Sequence, residues 1–177
     1  MRTERTGRRW LALATVVLGL LVVQVAGLAH VPIFGVRPEL LLVFVLGVAL
    51  QWGAGPGLAL GLVTGFLADL IGGYLVGLSA VSYAAAGCAA GFIGERLYPD
   101  RGLVVLAIVA GGTVVSQVVY VAGASAFGLP WPPMDGLVKV TLTLAAYHLL
   151  LVPVVYPICR WAGGVFVARS GDAGLEA

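Results

Sequence analysis

The sequence predicts an all-α integral membrane protein with six transmembrane helices, and three observations carry that prediction. Ten basic and eight acidic residues among 177 make the chain only 10% charged, against roughly a quarter in soluble domains. Apolar residues make up 60%, Gly adds 26 more, and mean hydropathy is +1.05. A soluble domain of this size still exposes about a third of its unfolded surface, so it has nowhere to hide that much apolar area. A disordered chain has the opposite composition, poor in apolar residues and rich in charge. Finally, the uncharged stretches separate at charged or Gly/Pro-rich breaks into six candidate spans.

Residues 1–9 form a basic N-terminus holding Arg2, Arg5, Arg8 and Arg9. Span one, residues 10–29, exceeds the 7–15 residue apolar core of a signal peptide and suits a bilayer crossing. It is therefore read as a retained helix, although Gly27-Leu28-Ala29 mimics a small-x-small cleavage site. Span two covers 40–52 and span three 57–71, with turn chemistry between and after them in Gly53-Ala54-Gly55-Pro56-Gly57 and Gly72-Gly73-Tyr74. Both are short, because 13 to 15 residues rise only about 20–22 Å in a hydrocarbon layer about 30 Å thick. Either they run past these limits or they form a re-entrant hairpin covered by protein; six full crossings is the preferred count. Span four is 76–94. Span five, 102–125, follows the charged knot at 95–101, and span six, 137–160, follows the turn-rich 128–133. One transmembrane domain, 10–161, is thus flanked by the basic N-terminus and a short C-terminal tail, 162–177.

Charge placement orients these spans. With the N-terminus inside, Arg2, Arg5, Arg8, Arg9, Arg96, Arg101, Arg160 and Arg169 fall on the cytoplasmic side, and Arg37 and Lys139 on the outer side. Basic residues in short loops stay inside, so both termini are expected in the cytoplasm of a multi-pass protein. Trp131 at one interface, with Trp10 and Trp161 at the other, suits belt anchoring.

The most informative segment has Gly57, Gly61, Gly65, Asp69, Gly73 and Gly77 spaced four apart. On a helix that spacing forms one ridge. Gly costs a helix about 1 kcal/mol against Ala, so a run of them makes sense where another backbone comes close. Asp69 is the acid within a span, and a carboxylate there costs about 2.5–3.5 kcal/mol near the bilayer centre. It could donate as a protonated acid, cap the turn beginning at Gly72, or pair with Arg37 or Lys139. A proton relay would need further acids in the spans. Span four offers Ala80, Ala84 and Cys88 on one stripe and Gly87 with Gly91 on another, again small residues for helix contact. Span six carries Lys139, Thr143 and Tyr147 at i, i+4, then His148, for which a bond to a hydroxyl or carbonyl of a neighbouring helix is the expected role. Pro153 and Pro157 should bend its inner half. Cys88 and Cys159 lie in apolar runs and read as buried structural thiols. No metal-ligand spacing, nucleophile motif, phosphate loop or paired carboxylate occurs, so no catalytic, cofactor or metal site is assigned, and nothing points to nucleic acid.

Arg37-Pro38-Glu39-Leu40-Leu41-Leu42, followed by the ladder Gly61, Gly65, Asp69, Gly73 and Gly77, resembles the MreD family, small multi-span proteins of the bacterial rod-shape system. The family's Pro-Asp/Asn-Leu-Leu start stands here as Pro38-Glu39-Leu40, and beyond Gly94 the likeness is only of hydropathy. The resemblance implies a non-enzymatic scaffold in the bacterial inner membrane that binds MreC. RodA, a class B penicillin-binding transpeptidase and, indirectly, MreB are the further partners in side-wall peptidoglycan synthesis. Arg37, Pro38, Glu39, Gly61, Gly65, Asp69, Gly73 and Gly77 become the candidate partner-binding or structural residues. The resemblance also implies a bundle like the S components of energy-coupling-factor transporters, which leaves a vitamin-binding S component as the alternative. Those proteins carry an Ala-x3-Ala stripe on helix one, whereas Ala12, Ala14, Ala26 and Ala29 include no pair four apart.

Overall fold

A computed structural model describes residues 2–26, 36–72, 75–97 and 102–167, and side chains within 13–161 of these. The described residues form six helices and no strand: α1 Arg2–Ala26, α2 Leu40–Trp52, α3 Ala54–Gly72, α4 Leu78–Gly94, α5 Gly102–Ala126 and α6 Met134–Val167. The basic N-terminus is a helical extension of α1.

Among the described residues three helices, not six, are long and apolar enough to cross a bilayer: α3, α5 and the 134–161 part of α6. For α2 and α4 length is the reason: they are Leu40–Trp52 and Leu78–Gly94, and the 13 residues of α2 rise only about 20 Å. For α1 the described apolar stretch is Leu13–Ala26, and residues 27–29 of span one lie outside the described residues. Span three is longer than its turn chemistry suggests. Only Gly53 leaves the helical path between α2 and α3, and it does so at φ 90°, a conformation open to Gly at no steric cost. Pro56 falls in the first turn of α3, where its missing N–H breaks no intrahelical bond.

α2 is the core. Every residue from Leu40 to Leu50 is buried, and α1, α3, α4, α5 and α6 all pack against it. Such a helix is apolar all round because protein surrounds it on every side. α3 shows the opposite arrangement to a soluble helix. Its buried residues are Gly57, Gly61, Thr64, Gly65 and Asp69, while Leu58, Leu62, Val63, Phe66 and Leu70 are exposed. Large apolar side chains facing out and small or polar ones facing in is what a lipid surround favours, since lipid supplies no drive to bury hydrocarbon.

α3 and α4 make an antiparallel hairpin in which each helix receives a carboxylate from the far end of the other. Glu95, at the C-terminus of α4, accepts a hydrogen bond from the Ala54 N–H at 3.0 Å. Asp69, near the C-terminus of α3, does the same for α4. A helix start has orphan N–H donors and a partial positive charge, so an anion satisfies both. A third start is served by an amide: Gln24 of α1 accepts from the Leu41 N–H at 3.1 Å.

Candidate functional site

The glycine ridge of α3 lies directly on the backbone of α4. A Cβ placed on Gly57 would stand 2.6 Å from the Gly87 carbonyl oxygen, and one on Gly61 would stand 2.5 Å from that of Tyr83. One on Gly65 would meet the Ser79 carbonyl and lie 2.6 Å from the Ala80 Cα. The two ladders of small residues therefore interlock, α3 through positions 57, 61 and 65, α4 through 80, 84 and 87. This is the small-xxx-small approach of membrane helices, made here within one chain.

Asp69 continues the ridge where α3 and α4 meet the connecting turn. Only 1% of its surface is exposed. Its Oδ2 accepts hydrogen bonds from the N–H of Gly77 at 2.8 Å, Ser79 at 3.0 Å and Ala80 at 3.4 Å. Gly77, at φ 99°, is the N-cap of α4 and has no capping side chain of its own. Asp69 fills that role from eight residues upstream. The carboxylate thus acts as an acceptor on three backbone donors, and among the described residues neither Arg37 nor Lys139 bonds to it. Gly73 lies outside the described residues.

The Arg37-Pro38-Glu39 corner leads into α2 at this same end of the bundle. Arg37 is exposed, Pro38 buried and Glu39 half-buried. The Tyr83 hydroxyl bonds the Glu39 carboxyl, while the Tyr83 carbonyl is the oxygen that Gly61 faces. Corner and ridge are thereby brought together through α4. Sequence reasoning missed the connecting residues: Tyr83, Ser79, and the caps Gln24 and Glu95. Gln24 alone had a readable signal, as an amide inside an apolar span.

A family model described as rod shape-determining protein MreD matches residues 4–160. The chain belongs to the MreD family. The match takes in all six helices, including α5 and α6, where the motif resemblance had thinned to hydropathy. The MreD family is one of rod-shape determination, and with the apolar helices it makes this a membrane protein. A search of curated proteins returned no match, and a search of solved structures returned none.

Within this MreD chain a second polar contact is sealed in the core between α5 and α6. His148 is wholly buried, with Nδ1 2.8 Å from the Thr113 Oγ1. Thr113 Oγ1 is also 2.8 Å from the Val109 carbonyl. A hydroxyl has one proton to give. If it goes to Val109, His148 donates from Nδ1; if it goes to His148, the Nε2 carries the hydrogen. Thr113→Val removes the one hydrogen-bond partner that the buried ring has among the described residues and should cost about 1–3 kcal/mol. The double variant Thr113→Val with His148→Leu should cost less than the sum of the singles. Thermal unfolding of the four proteins in detergent measures this, and strict additivity would show that the pair is not coupled.

Cys159 is buried where α6 crosses α2, its thiol donating to the Phe44 carbonyl at 3.7 Å. Cys88 is partly buried, and both thiols are free.

Proposed function

We propose that this chain is a non-enzymatic scaffold of the rod-shape complex in the bacterial cytoplasmic membrane, binding MreC and supporting side-wall peptidoglycan synthesis. RodA, a class B penicillin-binding transpeptidase and, indirectly, MreB complete the assembly. Membership of the MreD family carries the reading. The carboxylates of the α3–α4 hairpin support it, because Asp69 and Glu95 are engaged in joining helices. In this reading all six helices cross, the shorter ones in contact with their neighbours, and eight basic residues hold both termini in the cytoplasm. The end of the bundle carrying Arg37 then faces outward.

The glycine ridge acts as internal support in this proposal. It holds α3 and α4 in register and so presents the Arg37–Glu39 corner and the outer face of α3 to the single membrane helix of MreC. Co-purification from membranes tests it, with Gly65→Leu and Asp69→Ala compared against the parent chain. Recovery of MreC should fall with both variants, and cells relying on them should lose rod shape. Undiminished recovery with normal shape would overturn the proposal.

A further inference from the structure

A cleft of about 440 Å³ opens at the Arg37 end of the bundle, within the roughly 300–1,000 Å³ common for small-molecule sites. α4 and α6 each pack on α5, and the cleft lies above α5 between them. Arg37, Glu39, Ser116 and Gln117 are among its polar lining residues, beside Ser82, Tyr83 and Tyr120, and Val140 and Leu144 are among its apolar ones.

Three of its polar side chains have no hydrogen bond among the described residues, which is unusual for a membrane bundle. The hydroxyls of Thr64, Thr113, Ser125 and Thr141 all reach a carbonyl of their own helix, the ordinary way to satisfy a hydroxyl in an apolar surround. Ser116 does not. It is 4% exposed, lines the cleft, and has no hydrogen bond among the described residues. The side chains of Gln117 and Arg37 likewise have none among the described residues. A hydroxyl, an amide and a guanidinium therefore line one space without a partner among the described residues, and buried polar groups are ordinarily paired.

We propose that this cleft binds the phosphate headgroup of an anionic amphiphile, with Arg37 as its cationic contact, Ser116 and Gln117 as its hydrogen-bond donors, and Val140 and Leu144 against its apolar part. A guanidinium matches phosphate oxygens in a bidentate fork, and a phosphate has acceptors left for a hydroxyl and an amide. Glu39 shares the cleft and would oppose an anion if fully ionised. It lies ahead of α2, where desolvation pushes its carboxyl up to about 7, and the Tyr83 hydroxyl bonds it. The same chemistry is offered by a phospholipid and by a free phosphate ester, and the experiment separates them.

The full chain in neutral detergent is titrated calorimetrically with dihexanoyl phosphatidylglycerol and, separately, with glycerol 1-phosphate. Saturable binding is expected, weakened at least tenfold by Arg37→Gln and by Gln117→Leu, and unchanged by Leu150→Ala on the exposed face of α6. Arg37 is exposed, so its replacement should leave the melting profile as it is, which separates lost binding from lost folding. Equal binding of both compounds assigns the site to free phosphate esters, and binding of the lipid alone assigns it to a bilayer component. No saturable binding by either, or binding indifferent to both variants, would overturn the proposal.

Discussion

Gly65→Ala should destabilise this protein by about 1–3 kcal/mol, as expected for forcing a methyl into a packed interface, and Gly65→Leu should cost more. The added Cβ would meet the Ser79 carbonyl and stand 2.6 Å from the Ala80 Cα. Both are backbone atoms at the start of a helix, so no rotamer change relieves the contact. α4 must move as a body, and moving it also loosens the Gly61 and Gly57 contacts and the bonds that Asp69 makes. Gly111→Ala is the control. It lies within α5 with nothing inside 4 Å of its added Cβ, so helix propensity alone should raise stability by up to about 1 kcal/mol. Thermal unfolding of the three proteins in one detergent checks both signs. A Gly65→Ala protein as stable as the parent would mean that α3 and α4 are not in backbone contact.

Asp69→Ala should be costlier than an ordinary cap deletion, which loses about 1 kcal/mol. Three N–H groups, those of Gly77, Ser79 and Ala80, depend on one carboxylate. An orphaned buried donor costs about 1–3 kcal/mol. With Gly77 part-buried the total should reach about 3 kcal/mol. Asp69→Asn keeps an oxygen acceptor but loses the charge that complements the helix start, a term of about 0.3–2 kcal/mol, so it should fall between Ala and the parent. Hydrogen exchange gives the local readout: the amides of Gly77, Ser79 and Ala80 should lose protection first. If those amides exchange as in the parent while global stability drops, the capping role is wrong and Asp69 acts elsewhere.

Some of this architecture was legible because it is written in local spacing. Positions 57, 61, 65 and 69 share a face on any helix, and small residues on one face ask for a close neighbour. The ambiguity lay in which neighbour. The same ladder could meet another helix of this chain or a separate protein, since both give the same relief. Asp69 was open in the same way: capping, pairing and donating as an acid are all compatible with an acid at that position. One boundary was misleading. Gly53-Ala54-Gly55-Pro56-Gly57 looks like a turn five residues long, yet one positive φ at Gly53 turns the chain and Pro56 is accommodated in the first helical turn. That α2 is surrounded by protein could not be read, because an apolar run has the same composition whether lipid or protein surrounds it.

What the sequence determined by itself was the class and the family: an apolar, charge-poor, helical membrane protein whose Arg-Pro corner and glycine ladder mark it as MreD. These follow from composition and from periods of a few residues, which the chain carries before it folds. Tertiary structure decided where each polar group is satisfied. Gln24 meets Leu41, Glu95 meets Ala54, Tyr83 meets Glu39, and Thr113 meets His148, pairs separated by 17 to 44 residues. Tertiary structure also set Ser116, Gln117 and Arg37 beside one cleft with no hydrogen bond among the described residues. Hydrogen bonding acts over about 3 Å, so only the packed bundle can say which of these distant groups are neighbours.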